Sequence, residues 1–110
     1  MADIKIDSES TALICNLGVM NTEERARYIA LSRKLMGAGE ERRELDNGYA
    51  FRLAADKISL LEIAEWIDFE RRCCPFFNLQ IEAEPYDGPI WLRMTGAGAI
   101  KQFIRSEIGA

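Results

Sequence analysis

The chain has 110 residues, of which 48% are hydrophobic and 29% charged, and its formal net charge is −4. That length supports one domain with one modest core, residues 1–110, and not two. The acidic balance argues against nucleic acid as a partner, since it selects clustered Lys and Arg, and no run approaches the roughly 18 apolar residues of a membrane span.

Met1-Ala2-Asp3-Ile4-Lys5 lacks the basic-then-apolar pattern of an export signal, so a cytoplasmic protein of bacterial type is expected. Thr11–Leu17 alternates as a first strand would, with Leu13, Cys15 and Leu17 on one face. Asn21 and Glu24 are spaced as a capping box opening a helix that carries Ala26, Tyr28, Leu31 and Leu35, and Gly37-Ala38-Gly39 closes it. Asn47-Gly48 between Leu45 and Tyr49 predicts a hairpin with a type I′ turn, with Leu45, Tyr49, Phe51 and Leu53 facing the core. Ser59 and Glu62 form a second capping box.

The helix that Ser59 opens is the informative one. Steps of about 100° per residue place Leu60, Ile63, Ala64, Ile67 and Cys74 along one apolar line, with Trp66, Glu70 and Cys73 toward its rim. Pro75 ends the helix at or just before Cys74. Leu79–Glu84 and Ile90–Thr95 alternate as the strands of a second hairpin around Pro85–Pro89, and a last helix carries Ile100, Phe103, Ile104 and Ile108. The order strand, helix, hairpin, helix, hairpin, helix predicts an α+β domain. Its mainly antiparallel sheet of about five strands has helices packed on one face, loosely like a ferredoxin fold.

Chemistry concentrates where the second helix stops, at Glu70-Arg71-Arg72-Cys73-Cys74-Pro75-Phe76-Phe77. Packing alone would accept Val, Ala or Leu at these cysteines, whereas soft-metal binding and thiol redox chemistry need sulfur. The chain has three cysteines and no histidine. An odd count excludes a full disulfide framework, and a cytoplasmic setting keeps thiols reduced. The missing histidine removes Ser-His and Cys-His nucleophile pairs and nearly all catalytic zinc arrangements, so an enzyme is the less favoured class.

Cys73 and Cys74, assisted by Glu70 and by Cys15 from the first strand, form a candidate site for copper(I), zinc, mercury(II) or arsenite. The bland reading stands beside it: Cys15 and Cys74 fall on core faces, where free cysteine packs as a small hydrophobe. A carboxylate near an apolar face, as at Glu70, needs either a buried arginine such as Arg43 or a ligand. The helix C-terminus opposes a thiolate while Arg71 and Arg72 favour one. Thr95-Gly96-Ala97-Gly98 is either a plain turn or an anion cradle, without the lysine spacing of a phosphate loop. Trp66 and Trp91 lie out of phase with the apolar positions, which leaves room for a small-ligand pocket or a homodimer interface.

The signature Glu70-Arg71-Arg72-Cys73-Cys74-Pro75-Phe76, followed by Ile90-Trp91-Leu92-Arg93-Met94-Thr95-Gly96, resembles that of a family of small uncharacterised bacterial proteins with a Glu-Arg-x-Cys-Cys-Pro-Phe motif. The resemblance covers about residues 45–108. The same module resembles one fused to regulators of the mercury-resistance type, which implies metal or thiol sensing by association. No DNA-binding head is expected in this chain, so regulation through DNA is not expected to carry over. Two functions follow as expectations: a soft-metal or thiol-reactive-ligand module, or a ligand- or partner-binding (homodimeric) domain whose cysteines only pack.

Overall fold

In the computed structural model, which describes residues 15–108, two of the three helices begin at the capping boxes. Glu24 N–H donates to Asn21 Oδ1 at 2.8 Å and Asn21 N–H to Glu24 Oε1 at 3.0 Å, opening α1 (Thr22–Gly37). Ser59 and Glu62 make the same exchange at 3.1 and 2.9 Å and open α2 (Leu60–Cys73). Each box satisfies amide groups that a helix start would otherwise leave bare. α3 (Ile100–Ile108) follows Gly98, whose φ of +63° only glycine adopts cheaply.

Four strands, β1 (Gly39–Leu45), β2 (Gly48–Leu53), β3 (Asn78–Ala83) and β4 (Ile90–Thr95), form one sheet in the order β1-β2-β4-β3. All neighbours are antiparallel. Each hairpin gives its second strand to the centre, where Phe51 of β2 faces Leu92 of β4.

Alternation then decides what each face carries. Tyr49, Phe51, Leu53, Ile90, Leu92 and Met94 share one face, and all three helices lie against it. Leu31 of α1 and Ile63 and Trp66 of α2 pack with Leu53, Ile90 and Leu92, while Ile100 and Ile104 of α3 pack on Tyr49. Phe51 and Met94 touch both clusters. Ile63 and Leu92 are fully enclosed, and burying a side chain of this kind contributes about 1.5–3 kcal/mol. The other face is largely charged. There the Arg43 guanidinium lies 4.6 Å from the centre of the Trp91 ring, and Trp91 Nε1 donates to Glu84 at 2.6 Å.

The α+β class and the single helical face agree with the sequence pattern, with four strands rather than about five among the described residues. Residues 11–14 of the expected first strand lie outside the described residues. Cys15 and Asn16 are irregular, and Leu17–Val19 forms a 3-10 turn instead. Asn16 explains the change, because its side chain accepts the Gly18 amide at 2.9 Å, a local bond that competes with a strand ladder.

The first hairpin exists but with a different turn. Leu45 pairs with Gly48, so the two-residue loop is Asp46-Asn47, and Leu45 falls on the charged face rather than toward the core. Neither Asn47 nor Gly48 has positive φ. Gly48 is there for clearance: a Cβ would run into the Met94 carbonyl oxygen and lie 2.8 Å from Thr95 Cα. The positive-φ pair of a type I′ turn occurs in the second hairpin, at Tyr86 (60°) and Asp87 (54°), closed by Gly88 N–H donating to Pro85 O at 3.1 Å.

A candidate metal centre at the end of the second helix

The buried face of α2 is Ile63, Trp66, Phe69, Glu70 and Cys73. It lies about 100° around the helix from the apolar line read in the sequence. Leu60 is 45% exposed and Ala64 is exposed, whereas Trp66 and Cys73, expected at the rim, are central. Trp66 takes this place because Ser32 of α1 accepts its indole N–H at 3.0 Å, so the ring is buried without an orphaned donor.

Cys74 is the C-cap of α2, its N–H donating to Glu70 O at 2.7 Å, and Pro75 prevents continuation. The carbonyl of Cys73, orphaned by the helix end, accepts the Asn16 amide at 2.8 Å. That bond brings Cys15 alongside, and Cys15 and Cys74 are joined by a disulfide spanning 59 residues, with Cα atoms 4.6 Å apart. The expectation of three reduced thiols is therefore corrected. One pair is oxidised and Cys73 alone is a free thiol. Arg72 secures the incoming segment from outside, donating to Val19 O at 2.8 Å and pairing with Glu24 at 3.0 Å.

Cys73 Sγ lies 3.5 Å from Cys74 Sγ, and one oxygen of Glu70 together with these two sulfurs forms a cluster whose atoms all fall within 4.8 Å of one another. Cys73 and Cys74 are each 1% exposed and Glu70 is 5% exposed. The vicinal pair and its carboxylate thus converge, while Cys15, outside that group of three, is attached to it by its bond to Cys74. Arg43 does not approach Glu70. It pairs with Glu41 at 2.7 Å and covers Trp91.

The partner of Glu70 is Tyr28 of α1, whose hydroxyl donates to Oε1 at 2.7 Å. Burial pushes the Glu70 carboxyl above its ordinary range, the Tyr28 bond opposes that rise, and the charge of Glu107 adds to it. The Tyr28 hydroxyl is itself pushed up, by burial and by Glu70. Burial also raises the Cys73 thiol, and the Glu70 charge adds to it, against weaker opposite pulls from Tyr28 and Arg72. A thiol held in this way is a poor free nucleophile, but a metal displaces the proton it carries. Tyr28 was readable in the sequence only as one of the apolar stripe of its helix. Its hydroxyl was the available clue, since a tyrosine on a core face requires an acceptor.

Thr95-Gly96-Ala97-Gly98 does line a cavity, of about 770 Å³, together with Lys101 and Arg105. Both cations are already engaged by Glu44, at 2.6 and 3.3 Å. The cysteines line neither this cavity nor a smaller one near Glu40 and Arg52. Among the described residues, no helix is long and apolar enough to cross a membrane.

Fold and site together define an α+β domain with a buried cluster of sulfur and carboxylate donors at one helix end. Comparison with protein-family models, curated proteins and solved structures finds no match to this chain.

Proposed function

We propose that this protein is a non-enzymatic cytoplasmic module that binds a soft metal or metalloid ion through Cys73 and Cys74, with Cys15 and Glu70 completing the donor set. The observation that carries the reading is the convergence of the Glu70, Cys73 and Cys74 donor atoms within 4.8 Å in a chain without histidine. Thiolates select soft ions, and three of them with one carboxylate are a full set for a four-coordinate centre. Because two of the sulfurs are joined, loading requires a reductant first. Membership of the Glu-Arg-x-Cys-Cys-Pro-Phe family, with its association with metal-responsive regulators, belongs to the same proposal.

Native mass spectrometry of the reduced protein with copper(I), zinc(II), mercury(II) and arsenite tests it. One bound ion per chain is expected, with loss of binding in Cys73→Ser and in Cys74→Ser. Variants that bind as the parent does, or a reduced parent that binds none of the four, overturn it.

A second reading is favoured by the near-complete enclosure of Cys73 and Cys74 and by the Cys15–Cys74 bond. In it, sulfur serves only packing and cross-linking, and the domain binds a ligand or a second copy of itself. Its mark is a Cys73→Ala variant that keeps fold, oligomeric state and partners.

A further inference from the structure

We propose that the ion this site selects is trivalent arsenic, taken up as arsenite after the Cys15–Cys74 disulfide is reduced. The inference rests on the metal-site reading above and adds to it the identity of the ion and a redox gate. Two observations carry it: the spacing of the sulfurs and the enclosure of the site.

With metal–sulfur bonds of about 2.3 Å, sulfurs 3.5 Å apart subtend roughly 100° at a shared centre. Adjacent residues hold Cys73 and Cys74 near this spacing, and Cys15 lies within bonding reach of Cys74. An angle near 100° is that of a three-legged pyramid with a lone pair at its apex, the shape of trivalent arsenic on three thiolates. A digonal ion needs its two sulfurs in line, ~4.6 Å apart for the same bonds, which the Cys73–Cys74 spacing does not provide.

Charge points the same way. Three thiolates carry three negative charges, which trivalent arsenic cancels, whereas zinc leaves a net negative charge and copper(I) a larger one. Glu70 adds equally to every case. Cys73 and Cys74 are 1% exposed, Arg72, the nearest cation in sequence, is committed to Glu24, and no cation among the described residues is buried to compensate a charged complex. The complex with the least net charge carries the smallest cost of uncompensated buried charge.

The chemistry balances without any change at arsenic. A phosphine or dithiol reductant supplies two electrons to the Cys15–Cys74 bond, two protons complete the thiols, and the reductant is oxidised. Arsenous acid then exchanges three As–O bonds for three As–S bonds. Each thiol proton leaves with a hydroxide as water. While the disulfide stands, Cys73 is the one sulfur free to act, and one thiol does not hold arsenite. The gate is therefore the bond between Cys15 and Cys74.

The test is arsenic binding by the full-length protein after reduction with a phosphine, competed against zinc(II) and mercury(II). X-ray absorption at the arsenic edge counts the sulfur neighbours. The expected result is one arsenic per chain with three sulfur neighbours, at least about tenfold preference over zinc, and no binding to the oxidised protein. The sulfur count is read on the parent protein, so it does not depend on a variant that folds. In Cys15→Ser, arsenic should fall to two sulfur neighbours, with affinity lower by at least about tenfold. Tighter binding of zinc or mercury, two sulfur neighbours in the parent, or uptake by the oxidised protein overturns the arsenic assignment while leaving a metal site. Binding of no ion at all overturns the metal-site reading itself.

Discussion

Glu70 is the residue whose behaviour depends most on its surroundings. Its carboxyl is enclosed, receives the Tyr28 hydroxyl at 2.7 Å, and is pushed above its ordinary range by burial. A carboxyl raised in this way contributes stability fully below the ordinary value of 4.5, and that contribution is lost as pH rises through the raised native value. Glu70→Gln removes the titration while keeping an oxygen for Tyr28. The urea midpoint of the variant should therefore stay level where that of the parent declines as pH rises above the ordinary carboxylate range; parallel curves would contradict this origin. Tyr28→Phe leaves the carboxyl buried without its donor and should cost about 1–3 kcal/mol in chemical unfolding. Sequence reading found Glu70 as an anomaly and offered it a buried arginine such as Arg43 or a ligand, whereas its hydrogen-bond partner is Tyr28. Arg43 looked suitable by charge, yet register puts it on the opposite sheet face, over Trp91.

At the scale of elements, local signals were the most legible. Both capping boxes form as spaced, because cap chemistry is decided within four residues. Ser59→Ala should cost about 1 kcal/mol, which lowers the thermal midpoint by about 4–8 °C in a domain of this size. Scanning calorimetry reads that shift. The roll of α2 was not legible, since Leu60 and Leu61 are as apolar as any core residue, and Leu61 is nevertheless 82% exposed. The Ser32–Trp66 bond between helices, invisible to a single-helix projection, settles the roll instead. The Asn47-Gly48 turn failed for a comparable reason, because Gly48 answers to the approach of β4 rather than to the loop. Gly48→Ala should accordingly cost about 3 kcal/mol by overpacking against Met94 and Thr95, measured by urea unfolding. An ordinary turn glycine would lose far less.

For the whole molecule, the α+β class and the one-sided helical layer followed from the alternation and order of elements, while strand order needed tertiary contacts that no pattern encodes. The convergence of Glu70 with the vicinal cysteines was visible from helical spacing. The disulfide was not, because Cys15 and Cys74 are 59 residues apart and tertiary contacts, the Asn16–Cys73 backbone bond among them, bring them together. A crosslink of that span restricts the unfolded chain by about 4 kcal/mol in the chain-entropy account. Reduction should therefore lower unfolding stability by several kcal/mol, and a bound ion should restore part of it by binding the folded state alone. The most direct measurement is the number of soft ions retained per chain after desalting, determined on oxidised and reduced protein side by side. The account predicts none on the oxidised chain, one on the reduced chain, and none on reduced Cys73→Ser. A reduced, folded chain that retains no ion, or equal retention in the two redox states, would contradict it.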